Sequence, residues 1–461
     1  MDNVSGDLRH ERSRSSHGMK ISGSSFEKHS TEDLLSSTSL DDEENRSVSE
    51  AGDIGDRALH STRFSNCGSS HSFVHEDGHV LIVEDEALQA NNSWSREQFS
   101  SRVGPAVSPL ASEITSSFPP NTVDLAIDKN QDVENGLPPT LDYVSCLLHL
   151  SVCGIFGVIT RYLLQKLYGP EVAGVTNIGS VLYLDLPSNM VGSFLMGWWG
   201  VVLKADISTI SEHLAIGLTT GYLGSLTTFS GWNQKMLDLS VNGQWVYASL
   251  GFCFGLFLVA GSILFGVATA KGFKGLLVEL NTRSTNQWRV KSYKSHLTVM
   301  IALLLVLGVL LVASGLLDAK EFRNGGSEAQ LWLACFLAPI GVWIRWTLAR
   351  LNGRGIGKSG QFNWVPFGTL AANIGAASMM AALATVKKAV NTKNCDTVAS
   401  GIQFGLLGCM STVSTFMAEF HAMSQSSRPW RAFAYAAITI VPSFCVGILI
   451  YCIPVWTKPY N

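Results

Sequence analysis

Gly221-Tyr-Leu-Gly-Ser-Leu-Thr-Thr-Phe-Ser-Gly-Trp232 decides how this chain is read, because it returns as Gly405-Leu-Leu-Gly-Cys-Met-Ser-Thr-Val-Ser-Thr-Phe416. Aligned without a gap, Gly221 falls on Gly405, Gly224 on Gly408, Thr227 on Ser411, Thr228 on Thr412 and Ser230 on Ser414. Both stretches lie inside apolar runs long enough to cross a bilayer. Hydroxyls and glycines at membrane depth are costly unless they line a cavity or a packed interface. Finding the cluster twice says that two related halves each contribute one polar segment to a shared place.

Outward from these stretches, nine apolar segments of about 20 residues follow one another, the length that crosses about 30 Å of hydrocarbon as helix. They run over 143–167, 177–203, 213–237, 245–270, 297–317, 331–351, 363–386, 399–423 and 432–456. Segments one to four and six to nine align as repeats. Gly157-Val-Ile-Thr-Arg161 matches Gly341-Val-Trp-Ile-Arg345, and Asn189 matches Asn373. The fifth, Leu297 to Leu317, has no counterpart and reads as a connector. Two four-helix units joined by one extra crossing take opposite orientations, and an inverted repeat sets its functional sites near the midplane. The expected fold is therefore an all-α multispanning membrane protein: two inverted four-helix repeats, 141–270 and 331–461, joined over 271–330 by a basic loop and a linker helix.

Residues 1–140 differ in kind. They hold 11 Lys and Arg against 24 Asp and Glu, while the remainder holds 22 against 12, so the near-neutral total of −3 is a cancellation. This part reads as a disordered, Ser-rich acidic tail, too poor in large apolar residues to build a core, and without the apolar run of a secretory signal. The nine cysteines are scattered, mostly in apolar segments, with no CxxC pair, which speaks against a disulfide framework or zinc site. Lys and Arg concentrate between Lys271 and Lys294 and at Arg350, Arg354, Lys358, Arg428 and Arg431. That places the tail in the cytosol and the C-terminus outside, against the opposing charge of Lys387, Lys388 and Lys393.

Several residues can carry chemistry. Arg161 and Arg345 are functional candidates by position, although an Arg near a helix end also serves by tying helix ends together. Asn189 and Asn373 either line a pore or join helices. Thr227, Thr228, Ser230, Ser411, Thr412, Ser414 and Thr415 supply hydroxyl donors. The glycines at 221, 224, 405 and 408 permit either close packing or a helix break that frees carbonyls for a cation. Glu419 is the acid nearest a polar segment, and its repeat partner is Lys235. No HExxH, GxSxG or Walker loop occurs in the membrane part, so catalysis has no visible constellation.

Gly-x-x-x-Arg in the first helix, Phe367-Gly-Thr-Leu-Ala-Ala-Asn373 and Gly-x-x-Gly-x-x-Thr-Thr-Phe-Ser together resemble the CrcB/Fluc fluoride channels. The fused arrangement over 143–456 resembles their eukaryotic form, FEX. The resemblance implies passive, selective fluoride export by a single-chain pseudo-dimer in the bilayer of the plasma membrane, with no nucleic-acid partner. It implies a fluoride pore formed by Phe229, Phe416, Asn189, Asn373, Thr228, Ser230, Ser414, Thr415 and Glu419, with Arg161 and Arg345 in support. It also implies a central sodium ion held by backbone at Gly224, Thr227, Gly408 and Ser411, and no other cofactor. The family's two Phe positions lie three apart and each pore draws on both halves. Phe229 then pairs with Phe416, whereas Trp232 pairs with Val413 and that pore is degenerate. An inverted-repeat secondary transporter, which Glu419 and the histidines would serve, and a membrane protein that transports nothing remain open on the sequence alone.

Overall fold

The computed structural model describes residues 138–177, 179–280, 292–323, 325–353 and 362–458. The acidic tail up to residue 137, residues 281–291 of the basic loop before the connector, and Arg354 and Lys358 lie outside them. The described residues are helices and turns, with no strand. In the first repeat these are α1 (Pro139–Tyr168), α2 (Leu186–Val202), α3 (Lys204–Ile210), α4 (212–226), α5 (Phe229–Val241) and α6 (Trp245–Glu279). The connector α7 (Tyr293–Glu321) leads to α8 (Ser327–Ala349), α9 (Phe367–Val390), α10 (393–410), α11 (Ser414–Ser424) and α12 (Trp430–Thr457).

Each of the nine expected segments has a helical counterpart. Seven are long and apolar enough to span a membrane, α10 and α11 counting together, and α2 with α3 adds an eighth as a pair bent by 69°. The third segment is missing from that tally because Thr227 and Thr228 are extended and cut it into α4 and α5, each too short to qualify. The second helix begins at Leu186, later than the apolar run does. Ahead of it Leu182 N donates to Ser180 Oγ in a turn, and Pro187 suits a first helical turn, where its missing N–H costs nothing.

The repeats are inverted. On α1 and α8, which occupy the same place in each half, Tyr143 packs on Trp346, Trp343 Nε1 donates to the Leu147 carbonyl, and Tyr162 donates to Ser327 Oγ. Partners descend on one helix as they ascend on the other, so the two run antiparallel. Small residues let other helices close in: a Cβ on Gly266 of α6 would stand 2.2 Å from the Phe194 carbonyl oxygen of α2. The connector α7 rests Leu307, Leu310 and Leu311 against the α1–α8 seam and leaves most of its length exposed, as a helix facing lipid does. The main core, with Phe229, Trp232, Phe416, Met417 and Tyr435, sits where the halves meet.

Candidate functional site

The two helix breaks face each other and exchange hydrogen bonds. Thr227 Oγ1 accepts from the backbone N–H of Ser414 at 3.0 Å, and Ser411 Oγ accepts from that of Ser230 at 3.0 Å. Each hydroxyl therefore serves the first turn of the other half's helix, where N–H groups lack an internal partner. Thr228 and Thr412 cap their own: Thr228 Oγ1 accepts from Gly231 N at 3.2 Å and Thr412 Oγ1 from Thr415 N at 3.4 Å. Ser230 and Ser414 complete the cluster, Ser230 within 2.8 Å of Ser411 and Ser414 within 3.1 Å of Thr227.

Asn189 and Asn373 bracket these breaks. Asn189 Oδ1 accepts from Thr228 N at 2.9 Å while its amide donates to the Thr228 carbonyl at 3.2 Å. Asn373 treats Thr412 alike, at 2.8 and 3.0 Å. The brackets differ in one respect. The second Asn189 amide hydrogen goes to the Tyr183 hydroxyl at 3.1 Å. Phe367 stands at the position equivalent to Tyr183 and offers no acceptor, so the Asn373 amide makes one bond among the described residues out of the two it can make.

Arg161 and Arg345 brace the opposite half-helices. Residues 217–223 and 403–407 form π-bulges, which free carbonyls from the usual ladder. Arg345 Nη2 donates to Thr220 O at 2.6 Å and its Nε to Cys409 O at 2.7 Å; Arg161 donates to Phe404 O, the repeat equivalent of Thr220 O. Buried charge is tolerable on these terms. The guanidinium groups lie against Gly224 and Gly408, where a Cβ would stand 1.7 Å and 2.4 Å from the nearest Nη1.

The same bonds bear on the sodium ion expected at Gly224, Thr227, Gly408 and Ser411. In an unbroken helix their carbonyls would accept from the N–H groups of Thr228, Gly231, Thr412 and Thr415. All four donors turn instead to a side chain: Asn189, Thr228, Asn373 and Thr412. Four carbonyl oxygens at facing breaks suit a hard monovalent cation. The residues present fit the ion.

The two flanks of the cluster are not alike. On one, the Phe229 and Phe416 rings meet edge to face at 6.3 Å, and Phe416 meets Tyr435 at 5.2 Å. The Tyr435 hydroxyl donates to Glu419 Oε2 and the Thr369 hydroxyl to Oε1, both at 2.6 Å, in full burial. Farther along α12, Thr439 and Ser443 follow Tyr435 at steps of four, each completely buried. On the other flank, α6 carries Gly251, Gly255 and Val259 at the positions equivalent to Tyr435, Thr439 and Ser443. The Trp232 indole takes that space. Its Nε1 donates to Gly251 O at 3.3 Å, its ring stacks on Tyr183 at 5.8 Å, and a Cβ on Gly255 would come within 2.5 Å of it. Val413 is buried and donates its N–H to Thr227 Oγ1.

The structure thus gathers the hydroxyls of Thr227, Thr228, Ser230, Ser411, Thr412 and Ser414 around one centre, brings Thr415 to it by its backbone N–H, and sets Phe229 beside Phe416. Trp232 also meets the Phe229 ring edge to face, at 6.0 Å, but turns its indole to the glycine face of α6. Sequence reasoning missed Thr369, Tyr435, Thr439 and Ser443, whose signal lay in the contrast with the glycines of the aligned repeat.

The model of the family described as CrcB-like protein, Camphor Resistance (CrcB), matches residues 148–273 and again 332–451, together more than half of the chain. The chain belongs to the CrcB family. Similar curated proteins include the fluoride-specific ion channel FluC of Gluconobacter oxydans, 29% identical over 148 residues, which are 32% of this chain and 99% of that protein. Fluoride-specific ion channel FluC 2 of Staphylococcus haemolyticus is 35% identical over 126 residues, 26% of this chain and 88% of its own length. No solved structure matches the chain. With two family units in one polypeptide and its spanning helices, this CrcB protein is an integral membrane protein of two fused, inverted four-helix repeats.

Proposed function

We propose that this chain is a fluoride-selective passive channel with one conducting lane, running past Phe229, Phe416, Tyr435, Thr439 and Ser443. The observation that carries the reading is the asymmetry between flanks. One keeps paired phenyl rings, buried hydroxyls and an Asn373 amide with donor capacity left; the other is filled by Trp232, with its Asn189 spent on Tyr183. Fluoride is small and strongly hydrated, so a path must replace its water with donors. The hydroxyls of Tyr435 and Thr369 and the Asn373 amide are such donors; those of Thr439 and Ser443 bond their own helix's carbonyls and would turn from them to the ion, and the positive ring edges of Phe229 and Phe416 face an anion weakly. Glu419 holds the Tyr435 and Thr369 hydroxyls, so an arriving ion takes over their hydrogens from a carboxylate. No lysine stands among these donors, which lets the ion leave again.

A sodium ion on the carbonyls of Gly224, Thr227, Gly408 and Ser411 would tie the two breaks together and offset the charge of a passing anion. We place the channel in the plasma membrane, with the tail in the cytosol and the C-terminus outside, exporting fluoride down its own gradient. One chain forms the working pseudo-dimer. The test is fluoride efflux from liposomes carrying single variants. Phe229→Ala and Phe416→Ala are each expected to lose most of the flux, and Val413→Ala to keep it. Equal losses from all three would overturn the single lane.

A further inference from the structure

Asn233 lies one turn beyond Phe229 on α5 and is completely buried. Its Nδ2 reaches the Ser443 carbonyl of α12 only at 3.5 Å, the outer limit of a hydrogen bond. Its Oδ1 has no hydrogen-bond partner among the described residues. Leaving a buried amide so poorly paired is costly. A residue kept only to join helices would bind at both ends, as Asn189 does at its break. The repeat equivalents of Asn233 and Ser443 are Met417 and Val259, both fully buried and apolar. The loose amide therefore belongs to one flank alone, the one that keeps the phenyl pair.

From this point α5 and α12 run side by side. Leu237 meets α12 at Gly447, where a Cβ would stand 2.4 Å from its Cδ1, and the Trp456 indole donates to the Val241 carbonyl at 3.1 Å. Partners ascend together on the two helices, so Phe229 stands at the level of Thr439 and Asn233 at that of Ser443. Just beyond them opens a cavity of about 430 Å³, lined by Gln234, Asp238, Lys387, Lys388, Asp396 and Tyr451 among others. Asn233 thus stands between that cavity and the phenyl rings. The cavity wall sets two lysines against two aspartates, with Lys387 Nζ 2.9 Å from Asp396 Oδ1. Its charge is balanced, and the choice of ion falls to groups deeper in the lane.

We infer that Asn233 is the residue that takes fluoride from its water between the cavity and the phenyl pair. An ion entering from the cavity is hydrated. The amide treats both components: Nδ2 donates to fluoride, and Oδ1 accepts a hydrogen from the departing water. Nδ2 gives up only a long bond to Ser443 in doing so, and a neutral group lets the ion move on to the ring edges. The inference rests on the lane being the fluoride path.

The experiment follows fluoride efflux from liposomes holding the full chain, with thermal unfolding of the same samples. Asn233→Leu keeps the shape of the side chain and removes its donors and its acceptor. It is expected to cut efflux about tenfold or more, with Tm at or above that of wild type, because an apolar group replaces a poorly paired amide. A helix-joining role predicts the reverse, a lower Tm with efflux kept. Asn233→Ala and Asn233→Ser are both smaller than the native residue and cover the case in which Asn233→Leu does not fold. Asn233→Ser keeps one donor and one acceptor, and is expected to pass about fivefold more fluoride than Asn233→Ala. Efflux within about twofold of wild type in folded Asn233→Leu, or equal efflux from Asn233→Ala and Asn233→Ser, would overturn the inference while the channel stands. Folded wild-type protein that passes no fluoride would overturn the channel reading and this inference with it.

Discussion

Replacing Gly224 by alanine tests how the halves hold each other. A Cβ there would stand 1.7 Å from Arg345 Nη1, 2.3 Å from Cζ and 2.4 Å from Nη2, so the whole guanidinium must move. It is not a loose end: it donates to Thr220 O at 2.6 Å and to Cys409 O at 2.7 Å. Hydrogen bonds to charged groups contribute about 1.5–3 kcal/mol each, and losing both leaves the charge and two carbonyls buried without them. A loss of about 3 kcal/mol or more is expected, which at about 2–4 °C per kcal/mol lowers Tm by roughly 6–12 °C. The assay is thermal unfolding in detergent, read from tryptophan fluorescence. Gly261→Ala is the control, a helical glycine with nothing within 4 Å of an added Cβ, expected to melt with wild type or slightly above it. If Gly224→Ala melts with Gly261→Ala, the account of Arg345 as a brace across the repeats is wrong.

Asn373→Ala removes the bracket from Thr412 and is expected both to destabilise the fold by about 1–3 kcal/mol and to cut fluoride flux. Asn189→Ala should cost similar stability with a smaller effect on flux, a difference that melting and efflux measured on the same samples would show. Tyr435→Phe keeps the ring against Phe416 but deletes one donor to the buried Glu419, so fluoride flux should fall several-fold and stability by about 1.5–3 kcal/mol; an unchanged rate in folded protein would remove Tyr435 from the path. Trp232→Phe shortens a ring that fills the glycine face of α6. It is expected to lower Tm through the cavity it leaves, by about 1–3 kcal/mol, while flux stays near wild type.

Much of this fold is legible in the sequence because the bilayer constrains it so strongly. Long apolar segments mark the helices, and an odd connector between two copies fixes their relative inversion. The paired stretches around Thr227 and Ser411 announce themselves because hydroxyls gather where lipid-facing residues are expected. What the sequence does not show is which partner each polar group takes. Asn189 and Asn373 read equally well as pore donors or as glue, and only the geometry shows them clasping the backbone at the breaks. Tyr435, Thr439 and Ser443 are hidden for a related reason: single hydroxyls spaced along an apolar helix are common and usually bond their own backbone, as Thr439 and Ser443 do here. Their meaning emerges from the other repeat, where Gly251, Gly255 and Val259 make room for Trp232.

The central claim is selective fluoride conduction, and efflux from liposomes holding the purified full-length chain tests it most directly. Vesicles loaded with fluoride and chloride are followed with electrodes for both ions while potassium carries the balancing charge. The account predicts rapid release of fluoride with chloride retained; well-folded protein that releases neither ion, or both at similar rates, would contradict it.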